Sequence, residues 1–227
     1  METIRLIKLN QCPIYRMLSL EEHLLSKPCQ NYLLINYGTP EAIVLGKSND
    51  QKTLVIDQPN VPLIRRFSGG GTVYVDESTI FVSWILSKEL AHAKCVDTLF
   101  DWTVSGLQKA HPQLPIHRIE TDYVLENKKI GGTAQYVKKD RILHHTSFLF
   151  HFCKKKMELL KSPLKVPSYR QNRSHEEFLT SLNHHFKSPK DFVEPYIEQL
   201  KLEFHVEEIS ILELLVDMQQ PKQTVFL

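Results

Sequence analysis

Apolar and polar positions alternate from the start of the chain. TIRLIKL at 3–9 predicts a β-strand. PIYRMLSLEEHLLS at 13–26 places its apolar residues at helical spacing, with Pro13 suited to a first turn. NYLLINY (31–37) and EAIVLGK (41–47) are short β-type runs joined by Gly38-Thr39-Pro40, a turn signal. PLIRRFSGGGTVYVDESTIFVSWIL at 62–86 predicts strand, glycine loop, strand, turn and strand. AKCVDTLFDWTVSGLQKA at 93–110 has helical periodicity, and 117–152 predicts a β-meander with turns near 126–128 and 138–140. From Lys154 the pattern is helical: KKKMELLKS, HEEFLTSLNHHF, PKDFVEPYIEQLKLEF and VEEISILELLVDM. Ser174 and Glu177 have capping-box spacing. Strands fill the first two thirds and helices the last third. That order predicts an α+β fold: a mixed, largely antiparallel sheet flanked by helices, with a helical C-terminal segment.

The totals narrow the class. A chain of 227 residues with 42% hydrophobic and 24% charged residues fits one globular domain with at most a small appendage. A net charge of +2 gives no global field to attract nucleic acid or a membrane surface. No apolar run approaches the roughly 18 to 20 residues that span a bilayer. Charges and Pro13 break the N-terminal apolar run, which is not expected to be a signal peptide. Cys12, Cys29, Cys95 and Cys153 lie far apart with no CxxC pair, so a disulfide framework or zinc site is not expected and the cytoplasm is.

Three stretches carry candidate chemistry. In IRRFSGGGTVYVD (64–76), three consecutive glycines remove every Cβ, so backbone N–H groups can approach a phosphate or carbonyl oxygen. Adjacent arginines point to an anion. Alternation puts Arg65 and Arg66 on opposite faces, so only one can face a ligand. GxxxxGK[ST] is absent, which excludes a Walker A loop. The same residues also fit a glycine-rich hairpin turn. In ENKKIGGTAQ (126–135), strand alternation groups Lys129 with Gly131, Thr133 and Gln135, and Ile130 with Gly132 and Ala134. A lysine beside very small side chains suits a slot for a long, thin ligand, whereas Lys128 falls in the turn and fits a surface position. In LHHTSFLF (143–150), His144 and His145 point to opposite faces, one to a pocket wall and one to packing or the surface. No HxH or HExxH pattern supports a metal.

Taken in order, Arg-Arg-x-Ser-Gly-Gly-Gly-Thr-Val-Tyr-x-Asp at 65–76, Lys-Ile-x-Gly-x-Ala at 129–134 and Leu-His-His at 143–145 resemble the lipoate–protein ligase A family. That family has the biotin/lipoate protein ligase catalytic-domain fold, and the resemblance covers roughly residues 1–165. Its members activate lipoate with ATP to lipoyl-adenylate, then transfer the acyl group to a lysine of a small lipoyl domain. The resemblance implies that Lys129 is the catalytic lysine, stabilising charge that builds up in both half-reactions. It places Arg66, Ser68, Gly69, Gly70, Gly71 and His145 around the acyl group. Thr72, Val73, Tyr74, Asp122 and Gly132 would hold the nucleotide, with Asp122 near the phosphate and magnesium. The implied small molecules are ATP, magnesium and lipoate. The implied partners are apo lipoyl domains of 2-oxoacid dehydrogenase subunits or the glycine-cleavage H protein, and an accessory subunit.

The chain departs from the family pattern at Val75 (usually His), at Ser78-Thr79-Ile80-Phe81 (usually Gly-Asn-Leu-Asn), at Thr121 (usually Asn) and at Thr146 (usually Gly). Residues 1–165 are expected to form the catalytic domain, and 166–227 a helical extension packed on it with no separate accessory domain. The alternatives are an octanoyl or biotinyl transferase on the same fold, or a non-catalytic relative that binds an acyl-adenylate or a lipoyl domain. One branch of the superfamily works through a catalytic cysteine, and no cysteine lies between Cys95 and Cys153.

Overall fold

The computed structural model describes residues 1–57, 59–161, 167–215, 218 and 220–227. Strand β1 (Thr3–Asn10), helix α1 (Ile14–Leu24) and strand β2 (Asn31–Tyr37) form a βαβ unit, its strands parallel from Ile4–Asn31 to Asn10–Tyr37. Parallel neighbours need a crossover, and α1 supplies it. Helix α1 buries Ile14, Met17, Leu18, Glu21 and Leu24 at spacings of three and four. Strand β3 (Ala42–Leu45), the one-turn helix α2 (Gln51–Leu54) and strand β4 (Leu63–Arg65) lead to the glycine run. Strands β5 (Val73–Val75) and β6 (Thr79–Ser87) leave it. Helix α3 (Val96–Ala110) precedes the expected meander: β7 (Ile116–Ile119), β8 (Asp122–Leu125), β9 (Lys128–Val137) and β10 (Arg141–Leu149). A tight turn at Glu120 (φ 53°) splits its first arm into two strands.

The tail is only partly helical. Helices α4 (Lys154–Met157), α5 (His175–Phe178), α6 (Pro189–Lys201) and α7 (Leu212–Leu215) form, and the Ser174–Glu177 capping box is made in both directions. However, 206–208, expected to begin a helix, belong to strand β11 (His205–Glu208), which pairs in parallel with β1. The open N–H and C=O groups on the edge of β1 need partners, and that requirement overrides the helix preference of the glutamates. A short strand β12 (Val225–Phe226) pairs with β4. Ahead of it, the Glu22 carboxylate accepts from the amides of Lys222, Gln223 and Thr224 and from the Thr224 hydroxyl. Residues 216 and 217 and the 165/166 boundary lie outside the described residues.

Among the described residues, the main sheet has eight strands in the order β11-β1-β2-β6-β10-β9-β8-β7, and a small sheet has four in the order β12-β4-β3-β5. All main-sheet pairings other than β11–β1 and β1–β2 are antiparallel. One face of the main sheet packs on α3 and α6, through Leu99, Phe100, Phe192 and Tyr196 among others. The opposite face packs on α1 and on Val44, Ile64, Phe67 and Val75 of the small-sheet layer. Alternation along β10 therefore divides the paired histidines. His144 enters the α3/α6 core and His145 the α1 side.

His144 is fully buried, with Nε2 3.1 Å from the Tyr123 hydroxyl. Burial, then the neighbouring His145, pushes its pKa down to about 3. An unfolded histidine titrates near 6.5, so below that pH the unfolded chain binds a proton that folded His144 refuses. This contribution is present above pH ~6.5 and is lost progressively as pH falls toward 3, at most about 1.4 kcal/mol per pH unit. Urea unfolding at pH 7 and pH 5 should show a smaller loss for His144→Gln than for the wild type. Equal losses would show that His144 is not the group responsible.

Candidate active site

A cavity of about 580 Å³ lies between the main sheet, the glycine run, the small sheet and the segment after α4. Its lining changes character across the strand order. Near β6 and α1 it is apolar, with Ile14, Leu18 and Phe81. Across β10 and β9 it is narrow-walled, with Ser147, Gly132 and Ala134. At β8 it is charged, with Asp122, Lys129 and Arg170. A site of this size with convergent polar groups at one end suits a ligand with an apolar body and an anionic head.

Both arginines of the glycine run serve the backbone. Arg65 donates to the Asn49 carbonyl at 2.6 Å and lies outside the cavity lining. Arg66 lines the cavity, but its Nε and Nη2 donate to Gly69 O at 3.0 and 2.7 Å, and Nη2 also to Gly71 O at 2.7 Å. As alternation requires, one of the two faces the cavity and the other pairs elsewhere; Arg66 in addition holds the loop. The carbonyls of a folded-back glycine loop have no ladder partners, and the Arg66 guanidinium supplies them at Gly69 and Gly71, while Arg65 does so in the 46–49 loop. Burial lowers the Arg66 pKa to about 10, with the Glu21 charge opposing, so it remains a cation at neutral pH. Gly70, at φ 93°, brings the loop against Ala134 and Thr133 of β9. Gly70, Gly71, Thr72, Val73 and Tyr74 line the cavity, whereas Ser68 and Gly69 do not. The Ser68 hydroxyl is buried without a hydrogen-bond partner among the described residues.

A β-bulge corrects the face expected for Lys129. Tyr123 pairs with Gly131 and Val124 with Lys129, so Ile130 is skipped. Ile130 enters the α3/α6 core. Beyond the bulge, Gly132 and Ala134 pair with Ser147 and His145 on the cavity face. The extra residue brings Lys129 onto that same face, with Gly132 rather than Gly131. A Cβ on Gly132 would lie 2.9 Å from Lys129 Nζ, so the glycine leaves the volume that the ammonium fills. Lys128 is exposed.

Lys129 Nζ, about a quarter exposed, is 2.8 Å from Oδ1 of the buried Asp122. The other Asp122 oxygen, Oδ2, accepts from the Tyr169 hydroxyl at 2.8 Å. Among the described residues, no group of three or more His, Cys, Asp or Glu could hold a metal ion. With both Asp122 oxygens engaged, the donor set does not fit a magnesium cage built from protein ligands. At the apolar end, His145 Nδ1 is 2.6 Å from Glu21 Oε1 and 3.0 Å from Ser83 Oγ, and Ser83 donates to the same carboxylate oxygen at 2.5 Å. A carboxylate accepts, so the shared proton is placed on Nδ1.

Two sets of residues lining the cavity or bonded to its lining escaped the sequence reading. Glu21 had a signal: it falls three residues from both Leu18 and Leu24, on the apolar face of α1. Tyr169, Arg170, Phe178 and Leu179 had none, because the chain returns to β9 only in three dimensions. There Thr180 N donates to Lys129 O at 2.9 Å.

Comparison with known proteins places this geometry in a family. Residues 13–205 match the model of the lipoyl protein ligase A/B catalytic domain. The inactive lipoate–protein ligase 2 of Plasmodium falciparum is 27% identical over 209 residues, covering 73% of this chain and 54% of that protein. A crystal structure of lipoate-protein ligase A bound with ATP has a TM-score of 0.77 at 19% identity, covering 92% of this chain and 89% of that one. A bi-partite lipoate protein ligase studied with its E2 lipoyl domain, from Thermoplasma acidophilum, gives 0.76 at 18% identity, covering 92% and 88%. These structural likenesses show the fold. The chain spans about half the length, or less, of the curated relatives it matches.

The glycine geometry separates three neighbours that look equivalent in sequence. A Cβ on Gly69 or Gly71 meets nothing within 4 Å, whereas one on Gly70 would sit 2.7 Å from Arg66 Nη2 at a left-handed φ. Gly70→Ala should cost about 1–3 kcal/mol in denaturant unfolding, and the alanines at 69 and 71 should cost far less. Three equal effects would remove the special role of Gly70.

Proposed function

Because the chain belongs to the lipoyl protein ligase A/B catalytic-domain family, we propose that it is an ATP-dependent lipoate–protein ligase. The lipoate carboxylate attacks the α-phosphorus of ATP, and pyrophosphate leaves. An acceptor lysine amine then attacks the acyl carbon of lipoyl-adenylate, AMP leaves, and the nitrogen loses a proton. The observation that carries the reading is the Lys129 ammonium at the charged end of a cavity whose other end is apolar. An acyl chain lies toward Ile14, Leu18, Phe81 and His145, under the loop that Arg66 holds. The mixed anhydride lies at Lys129. The nucleotide lies along Thr72, Val73 and Tyr74, with Asp122 and Gly132 at its phosphate. The ammonium offers preorganised positive charge where negative charge develops.

The acceptor in this reading is an apo lipoyl domain of a 2-oxoacid dehydrogenase subunit or the H protein, in the cytoplasm, with an accessory partner as a further component. The described residues after Pro167 act as part of the catalytic domain: Phe192, Tyr196 and Phe204 join its core, and β11 extends its sheet.

A second reading is a relative that binds an acyl-adenylate or a lipoyl domain without turning it over. It is favoured by one observation, that Lys129 already has a counter-charge in Asp122, and by the likeness to the inactive lipoate–protein ligase 2 of Plasmodium falciparum. Among the described residues the cavity lining contains no cysteine, which weighs against a thioester route on the same fold.

Incubation with lipoate, Mg-ATP and an apo lipoyl domain should add one lipoyl mass to the domain. Lys129→Ala should slow transfer from preformed lipoyl-adenylate about 10²- to 10³-fold, while Lys128→Ala stays near wild type. Binding without any mass change would favour the second reading. A folded quadruple Cys→Ser variant should retain transfer. Its inactivity, together with a thioester trapped on the wild type, would move the chain to the octanoyl-transferring branch.

A further inference from the structure

The segment after Pro167 is fastened to the charged end of the cavity at several points. Ser168 N donates to Glu120 Oε1 at 2.8 Å and Ser168 Oγ to the same oxygen at 2.5 Å. Arg173 Nη1 donates to Asn127 O at 2.8 Å, in the β8–β9 turn. The guanidiniums of Arg170 and Arg173 lie 5.2 and 5.4 Å from the centre of the Phe178 ring. Within this framework one side-chain bond among the described residues reaches the ion pair: Tyr169 hydroxyl to Asp122 Oδ2, at 2.8 Å. Burial, then the Asp122 charge, raises the Tyr169 pKa, so the phenol stays protonated and remains a donor.

We propose that Tyr169 is a positioning residue for the reaction proposed above, on which this inference rests: it fixes the Asp122 carboxylate so that one oxygen faces Lys129 and the ammonium stays aimed into the cavity. A carboxylate has two equivalent oxygens and turns readily about its last bond. Held at Oδ2, Asp122 meets Lys129 through Oδ1 alone. The remaining N–H groups of the ammonium are then available to a ligand oxygen. Released, the carboxylate turns onto Lys129 and draws it toward β8, away from the ligand. Tyr169 also ties the seating of residues 167–173 to the orientation of Lys129, so the segment that roofs the charged end sets the direction of its cation.

The test is a double-mutant cycle on single-turnover transfer from preformed lipoyl-adenylate to an apo lipoyl domain. Tyr169→Phe keeps the ring beside Phe178 and removes only the hydroxyl. It should lower the transfer rate about tenfold, the scale of a lost hydrogen bond to a charged group, with the acceptor concentration dependence unchanged. In an Asp122→Ala background the same change should cost under about twofold, because the group it acts through is gone. Equal losses in both backgrounds would reduce Tyr169 to packing and overturn the proposal, as would a wild-type rate in Tyr169→Phe. If the wild type transfers nothing, the ligase reading fails. The same four proteins then report through affinity for a non-reactive lipoyl-sulfamoyl adenosine. A tenfold weaker affinity confined to the Asp122 background supports the positioning role, and additive or absent effects overturn it. A wild type that neither transfers nor binds the analogue overturns both.

Discussion

A cation that must meet an anion inside a half-closed cavity has to be held there while the anion is away. Leaving it uncompensated costs several kcal/mol, and leaving it in water would misplace it. The Lys129–Asp122 pair at 2.8 Å meets that constraint, and much of the surrounding architecture follows from it. Asp122 is fixed by starting β8 directly after the Glu120 turn. Lys129 is brought to it by the bulge at Ile130, which sets Lys129 on the cavity face with Gly132, three residues on, where regular alternation would have opposed them. Gly132 keeps the intervening volume empty.

The glycine run obeys a related constraint. A loop that exposes backbone to a ligand on one side leaves carbonyls without partners on the other. Arg66 is a rigid multidentate donor that supplies hydrogen bonds to Gly69 and Gly71, and Arg65 does the same for Asn49 in the loop alongside. The positive charge of the site is therefore divided. Arg66 is committed to holding the loop, and Lys129 is paired by a contact that a competing anion can exchange.

The legibility of the chain followed the range of its interactions. Strands β1 to β6, β9 and β10 were readable because alternation and turn residues are local, and α1, α3 and α6 because their apolar stripes are complete; the Glu120 turn that parts β7 from β8 was not read. Lys129, Gly132 and His145 were found as candidates because their motifs are contiguous. The face of Lys129 was misassigned because a bulge is a property of two strands: nothing in KKIGGTAQ states that Tyr123 and Val124 will straddle Ile130. Glu177 was legible from its box with Ser174, yet Tyr169, a few residues away, was not, because its partner is Asp122 across the fold. Strand β11 was misread for the same reason. Its glutamates favour helix locally, and the open edge of β1 decides otherwise.

That pairing of β1 with β11 fixes when the protein can finish folding. Thr3 must wait for His205, and Glu22 for the amides of residues 222–224. During synthesis at about 5–20 residues per second, the first strand leaves the ribosome roughly ten to forty seconds before its outer neighbour. Over that interval β1 presents an unpaired edge, which invites pairing with another nascent chain. The charges it carries at Arg5 and Lys8, later paired with Glu207, Glu194 and Glu208, make that edge a poor template for aggregation until its own partner arrives.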